Sequence, residues 1–312
     1  MSESSLTPER IYGKILLFGE YTILMGGNAL AIPLQNKSFS GELIFETPET
    51  QNSAWRQWLK YLLELRHTKL NAIEFDWDRF EKEITAGLSF TSTIPHGYGL
   101  GSSGALTAAV FKRYISEDQW TSFQTEPSRL QKTLALFESF FHGSSSGLDP
   151  LVSLLSTPIH VTGSTTSQLP KLGPGTCQNW FLVDSGVPRQ TSQLVETFRK
   201  KVASDLHFEN KMQELKTANH QSIKDFLEQK SGSIRASIQQ ISNIQYTWMN
   251  WLIPDTIKAS WAEGLESDRF YFKLCGAGGG GFFLVNIPSK ADQLRLNEKM
   301  DLINIDAANQ LR

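Results

Sequence analysis

The sequence predicts an α+β fold, and three features predict it. Apolar runs near the start, between Ile11 and Leu34, read as strands. Helical periodicity recurs through the middle of the chain, from Ser53 to Leu65, after the glycine-rich loop before Leu106, from Pro127 to Phe141 and from Thr191 to about Trp251. A second pair of apolar runs, RFYFKLCGAGGGGFFLVNI, closes on itself around a glycine cluster. Strands at both ends with helices between them argue against regular β-α-β winding.

Taken in order, GKILLFGEYTILMGGNALAIPL gives two strands around a turn at Met25-Gly26-Gly27-Asn28, and SFSGELIFET continues in strand-like alternation. Ser53 to Leu65 places Trp55, Trp58, Leu59, Leu62 and Leu63 on one helical face. Leu106, Ala109, Val110 and Tyr114 mark a helix directly after a glycine-rich loop. Pro127 to Phe141 is another helix, with proline suited to its first position and Leu130, Leu134, Phe137 and Phe141 on one side. A further helix is expected to begin at Pro150. The Ser/Thr/Gly/Pro-rich segment from about Thr162 to Gly175 reads as a border, dividing the chain into domains 1–168 and 169–312. An apolar run, NWFLVDSGVP, opens the second half, and long helical patterns follow from Thr191 to about Trp251.

With 312 residues, 40% of them hydrophobic, the chain has material for two ordinary cores. A net charge of −2 offers no broad field for nucleic acid or an anionic membrane. No apolar run reaches the length of a membrane span, and MSESSLTPER has no signal-peptide core. Two cysteines, Cys177 and Cys275, make neither a disulfide framework nor a metal-ligand spacing. A cytoplasmic protein, monomer or homodimer, is the expectation.

Four segments carry chemistry. In PHGYGLGSSGALTAA, glycines free the backbone just before a helix, whose first N–H groups and positive dipole end attract anions. Gly99, Leu100, Gly101, Ser102, Ser103 and Gly104 are therefore candidates to hold phosphate. The serines could instead merely cap the helix. No lysine follows the glycines, so this is not a Walker A loop. The run Gly276–Gly281 fits G-x-G-x-x-G, but a strand follows where a dinucleotide-binding loop would open a helix. Gly276, Gly278, Gly279 and Gly280 exceed what a hairpin needs, which suggests backbone lying against another backbone or a ligand. In ESFFHGSSSGLDP, Asp149 before Pro150 reads either as a helix N-cap or as a carboxylate aimed into a cleft. Glu138 reads either as a surface residue or as an acid among aromatics that needs a cation. Lys14, heading an apolar strand, either snorkels at the sheet edge or faces the same site as Glu20 and Tyr21.

These segments, in this order, resemble the GHMP small-molecule kinases. The likeness is strongest to the members that phosphorylate mevalonate, through GKILLFGEY, GLGSSGA, KLCGAGGGGFF, the Glu138-to-Asp149 segment and VPRQT (Val187–Thr191). The resemblance implies an N-terminal domain like ribosomal protein S5 domain 2 and a ferredoxin-like C-terminal domain. It implies ATP and Mg²⁺, and transfer of the γ-phosphoryl group to the primary hydroxyl of a small alcohol. Asp149 would be the base with Lys14 beside it, and Ser103 and Glu138 would hold Mg²⁺. Glu20, Tyr21, His142 and Thr191 would lie on the acceptor side. Tyr21 stands where the family commonly has histidine; it keeps a hydrogen-bonding tip but cannot become a cation near neutral pH. Another GHMP kinase, phosphomevalonate or sugar kinase, and a non-catalytic nucleotide-binding protein on the same fold are the alternatives.

Overall fold

The computed structural model of the chain describes residues 10–46, 53–188 and 191–306, without the side chains at 191, 192, 231 and 232. The first half contains β1 (Ile11–Tyr12), β2 (Lys14–Phe18), β3 (Ala29–Pro33), β4 (Ser40–Phe45), α1 (Ser53–Arg66), α2 (Trp77–Thr85), β5 (Leu88–Ser92), α3 (Ser102–Tyr114), α4 (Glu117–Gln124), α5 (Pro127–His142), α6 (Leu148–Leu155), β6 (Ile159–Thr162) and β7 (Thr165–Gln168). The second contains β8 (Trp180–Asp184), α7 (Thr191–Ser204), α8 (Leu206–Leu227), α9 (Ser231–Trp248), α10 (Asp255–Ser267), β9 (Tyr271–Leu274), β10 (Phe282–Asn286), α11 (Lys290–Asn297) and β11 (Leu302–Asn304).

Every strand pair is antiparallel. The first half forms two sheets, ordered β1-β4-β5 and β2-β3-β6-β7. The second half forms one, ordered β11-β8-β10-β9. This is the α+β architecture the sequence predicts. Strand β10, FFLVN, is buried at all five positions: β8 and β9 flank it, Trp261 of α10 packs on Phe283, and Phe39 and Tyr98 of the first half pack on Phe282.

Local departures from the sequence reading have physical causes. The first turn is a 3₁₀ helix, Thr22–Met25, closed by Gly26 in the left-handed conformation. Helix α6 begins at Leu148, not Pro150, because Gly147, with φ +70°, already supplies the turn into the helix. The long helical stretch after Thr191 is three helices. Asp205 caps α8 by accepting from the N–H groups of His207 and Phe208.

A buried ion pair ties the two halves together. Glu20, just after β2, pairs with Lys273 of β9, and both side chains are fully buried. Lys273 also donates to the Leu274 carbonyl at 2.7 Å. Burial pushes the Glu20 pKa up, with Lys273 opposing it. Next door, the Tyr21 hydroxyl donates to the Ala277 carbonyl at 2.6 Å. Asn219 of α8 accepts from Gly19 N–H and donates to the Thr22 hydroxyl, both at 3.3 Å.

Removing one partner of a buried pair strands the other charge. Lys273→Met is expected to destabilise the protein by about 3–5 kcal/mol in urea unfolding. The double variant Glu20→Met/Lys273→Met is expected to recover most of that loss. A near-neutral Lys273→Met would contradict this account of the junction.

Candidate active site

Two helices begin at the same place. Gly104, in the first turn of α3, lies so near the start of α6 that an added Cβ would sit 2.8 Å from the Asp149 carbonyl carbon and 2.9 Å from the Pro150 nitrogen. The positive dipole ends of both helices therefore converge on one spot. In α6, however, Leu148 N–H donates to the Ser146 hydroxyl at 3.3 Å and Pro150 has no N–H, so the free amides are those of α3. The loop before α3 is anchored to β2, where Lys14 N–H donates to the Leu100 carbonyl at 2.9 Å. Gly101 caps α3 with φ +75°, and a Cβ there would press on the Lys14 side chain at 3.0 Å. Neither Gly101 nor Gly147 makes a side-chain cap hydrogen bond. The amides of α3's first turn, from Ser102 to Gly104, are thus presented without a capping side chain.

Lys14 and Asp149 meet there. Lys14 Nζ lies 3.0 Å from Asp149 Oδ1; the lysine side chain is 7% exposed and the aspartate 35%. The lysine does not snorkel, and the aspartate is the second residue of α6 rather than its cap.

The serines do not cap the helix either. Ser103 Oγ donates to Glu138 Oε1 at 3.0 Å and also lies 2.8 Å from His142 Nε2. Ser102 Oγ lies 3.3 Å from His96 Nδ1. Glu138 is buried on the inner side of α5, and its Oε2 accepts from the Ser145 hydroxyl. Burial first, and the Asp149 carboxylate second, push its pKa up to about 7 against the hydrogen bonds from Ser145 and Ser103 and the charge of Lys14. One cation, Lys14, serves two carboxylates. The group most short of positive charge is Glu138.

That shortage bears on a metal. A hydroxyl and a carboxylate side by side are hard oxygen donors of the kind Mg²⁺ takes, and Mg²⁺ is commonly held by one or two protein oxygens together with substrate phosphates. Among the described residues there is no cluster of three or more His, Cys, Asp or Glu that could cage an ion unaided. Ser103 and Glu138 fit Mg²⁺ brought with a nucleotide.

Lys14, Gly99 to Gly104, Glu138, His142 and Asp149 come together. Glu20 does not reach the opening, since it is held in the buried pair with Lys273. Tyr21 is buried and turned to Ala277, with its ring against Phe198 at 4.6 Å. His142 lies beside Ser103, at the start of α3. Thr191 opens α7, but its side chain, like Arg189 and Gln190, lies outside the described residues. The C-terminal glycine loop does lie against backbone. A Cβ at Gly280 would fall 2.3 Å from the Val187 carbonyl oxygen, and one at Gly281 2.9 Å from Tyr98 Cα in the glycine-rich loop before α3. Gly278 and Gly279 press on Leu252 and Leu194.

Three participants were not found by sequence reasoning: Lys273, Ser145 and Gly281. Lys273 sits inside an apolar strand and gains its meaning from a residue 253 positions away. Gly281 was within reach, as the last of the quoted run.

Comparison with known proteins agrees with the resemblance read from these motifs. Residues 65–157 match the profile described as the GHMP kinases N terminal domain. A mevalonate kinase of Thermococcus sibiricus is 24% identical over 90% of this chain and 89% of its own length. Among solved structures, the Methanococcus jannaschii mevalonate kinase superposes with TM-score 0.60 at 17% identity, over 96% of this chain and 97% of that one. The Streptococcus pneumoniae phosphomevalonate kinase superposes with TM-score 0.63 at 14% identity, over 94% and 97%. The fold is the α+β GHMP kinase fold, and the chain resembles GHMP kinases, most of all mevalonate kinases.

The raised Glu138 pKa has a testable sign. A free glutamate titrates near about 4.3. From there to about 7 the unfolded chain has released this proton while the folded protein keeps it. Metal-free protein should therefore lose stability from this group as pH rises through that window, by up to about 4 kcal/mol, with no further loss above it. Glu138→Gln is expected to lack this slope when Tm is measured from pH 5 to 8. Parallel curves for the two proteins would contradict the assignment.

Proposed function

We propose that the protein is an ATP-dependent kinase that transfers the γ-phosphoryl group of ATP to the primary hydroxyl of mevalonate, in a cleft between domains 1–168 and 169–312. The observation that carries this reading is the Lys14–Asp149 pair, 3.0 Å apart where two helix N-termini converge. Phosphoryl transfer asks a protein for placement and charge neutralisation more than for covalent chemistry. The backbone N–H groups of Ser102 to Gly104 bind the phosphates, and the glycines let the chain approach them. Asp149 accepts the proton of the attacking hydroxyl. Lys14, 3.0 Å from that carboxylate, steadies negative charge on the reacting oxygens. Ser103 and Glu138 would hold Mg²⁺, which when bound offsets the charge of the nucleotide phosphates.

On the acceptor side, Glu20 acts through Lys273 and Tyr21 through Ala277 to hold the wall of the cleft. His142 steadies Ser103. The alternative is a different acceptor within the same family. The phosphomevalonate kinase comparison supports keeping it, since that fold match is as good as the mevalonate kinase one. A phosphorylated acceptor calls for further Lys or Arg, and among the side chains described here Lys14 is the cation at the reacting pair. A non-catalytic nucleotide binder has no use for a buried Lys14 held on Asp149.

An ADP-release assay over mevalonate, phosphomevalonate, galactose and homoserine separates the readings. Release that depends on mevalonate is expected; release on another of the four, or on none, would overturn the proposal. Asp149→Asn is expected to keep nucleotide binding and lose at least ~100-fold in kcat, the scale of acid–base groups. An active Asp149→Asn protein would remove aspartate from the base role.

A further inference from the structure

Between α5 and α6 runs the segment His142-Gly-Ser-Ser-Ser-Gly147, and its middle serine is fixed at three points. The Ser145 hydroxyl donates its single proton to Glu138 Oε2. The same oxygen accepts from Gly147 N–H at 2.9 Å. The Ser145 N–H donates to Ser139 Oγ at 3.1 Å, and Ser139 in turn donates to the Ala135 carbonyl of α5. The turn cannot drift from α5. Gln131 Nε2 holds the Ser146 carbonyl at 2.8 Å, and a Cβ at Gly147 would fall 2.1 Å from the Gln131 carbonyl oxygen.

The two oxygens of Glu138 are thus divided. Oε1 faces Ser103, the other candidate metal ligand, and Oε2 faces Ser145. Ser145 stops rotation of the carboxylate without occupying the oxygen shared with Ser103. Through Gly147 it grips the turn from which Asp149 follows two residues later.

We propose that Ser145 is a positioning residue, orienting Glu138 toward the metal and fixing that carboxylate relative to Asp149. This rests on the reading that Glu138 holds Mg²⁺. Groups that orient a metal ligand typically change metal affinity or activity by ~10–100-fold when removed. An alanine here frees the carboxylate to turn and leaves Gly147 N–H without its acceptor.

The test is Mn²⁺ binding, followed by electron paramagnetic resonance, to wild-type protein and variants with a non-hydrolysable ATP analogue, so that no turnover is needed. Ser145→Ala is expected to weaken Mn²⁺ binding ~10-fold, to lower kcat and to leave the KM for ATP nearly unchanged. Ser145→Thr, which keeps the hydroxyl, is expected to restore binding. A Ser145→Ala protein with wild-type Mn²⁺ affinity overturns the proposal, even if its unfolding midpoint falls, since that leaves the serine a role in the fold alone. A threonine variant as weak as alanine also counts against it. Glu138→Gln separates the two levels. If it binds Mn²⁺ like wild type, the metal-holding reading fails and takes the Ser145 proposal with it. If it loses binding while Ser145→Ala does not, only the Ser145 proposal fails.

Discussion

The close approach of α3 to α6 is the constraint on which the rest of the structure depends. The contact between Gly104 and the backbone of Asp149 and Pro150 leaves no room for any side chain at position 104. It brings two positive helix ends to one point, and it puts the first acidic residue of α6 against the lysine that heads β2. Each helix alone would be a weak anion site. Together with Lys14 they make a place where negative charge is welcome, with the partly buried Asp149 3.0 Å from the lysine. The glycine loop is shaped by the same requirement, since Gly101 has a backbone conformation that L side chains rarely adopt and touches the lysine stem.

Charge balance explains much of what surrounds that point. Glu20 has its own lysine, Lys273, and the charge of Lys14 is the least of the influences on it. Asp149 has Lys14. Glu138 has the hydroxyls of Ser103 and Ser145 and only the more distant charge of Lys14, and burial beside Asp149 makes it hold its proton more tightly. In a buried setting an unpaired carboxylate is costly and usually neutralises itself. A site of this kind stands ready for a divalent ion that arrives with its own phosphate ligands. The C-terminal glycine run packs against backbone on both of its sides. Gly280 lies close against Val187, past the end of strand β8, and Gly281 against Tyr98 in the loop before α3, so the two halves of the chain meet through backbone at Gly281.

What the sequence made legible was local. The glycine–serine stretch from Gly97 to Gly104 announces a loop entering a helix, because only glycine suits such a backbone. Helices α1 and α5 follow from apolar residues at helical spacing, and β2 and β3 from apolar runs flanking Met25-Gly26-Gly27-Asn28. Short elements escaped: α2 and β5 pair weak patterns with few breakers, and Asp76 caps α2 without a strong apolar run to mark it. The start of α6 was misplaced by two residues because Asp-Pro looks like a cap, while Gly147 had already made the turn. Long-range partners were beyond reach. Nothing near Lys273 in the sequence points to Glu20, and nothing in Ser144-Ser145-Ser146 says which serine turns to Glu138. Residue roles came from the family resemblance, and the geometry then gathered Lys14, Ser103, Glu138 and Asp149 while taking Glu20 out of the open cleft.

The central claim is that bare amides at the start of α3 grip the nucleotide's phosphates with Asp149 facing the terminal one. A crystal structure with a non-hydrolysable ATP analogue tests it most directly. The account predicts phosphate oxygens within hydrogen-bonding distance of the Ser102–Gly104 amides and the terminal phosphate turned toward Lys14 and Asp149. Triphosphate bound away from this helix start, with Asp149 facing solvent, would contradict it.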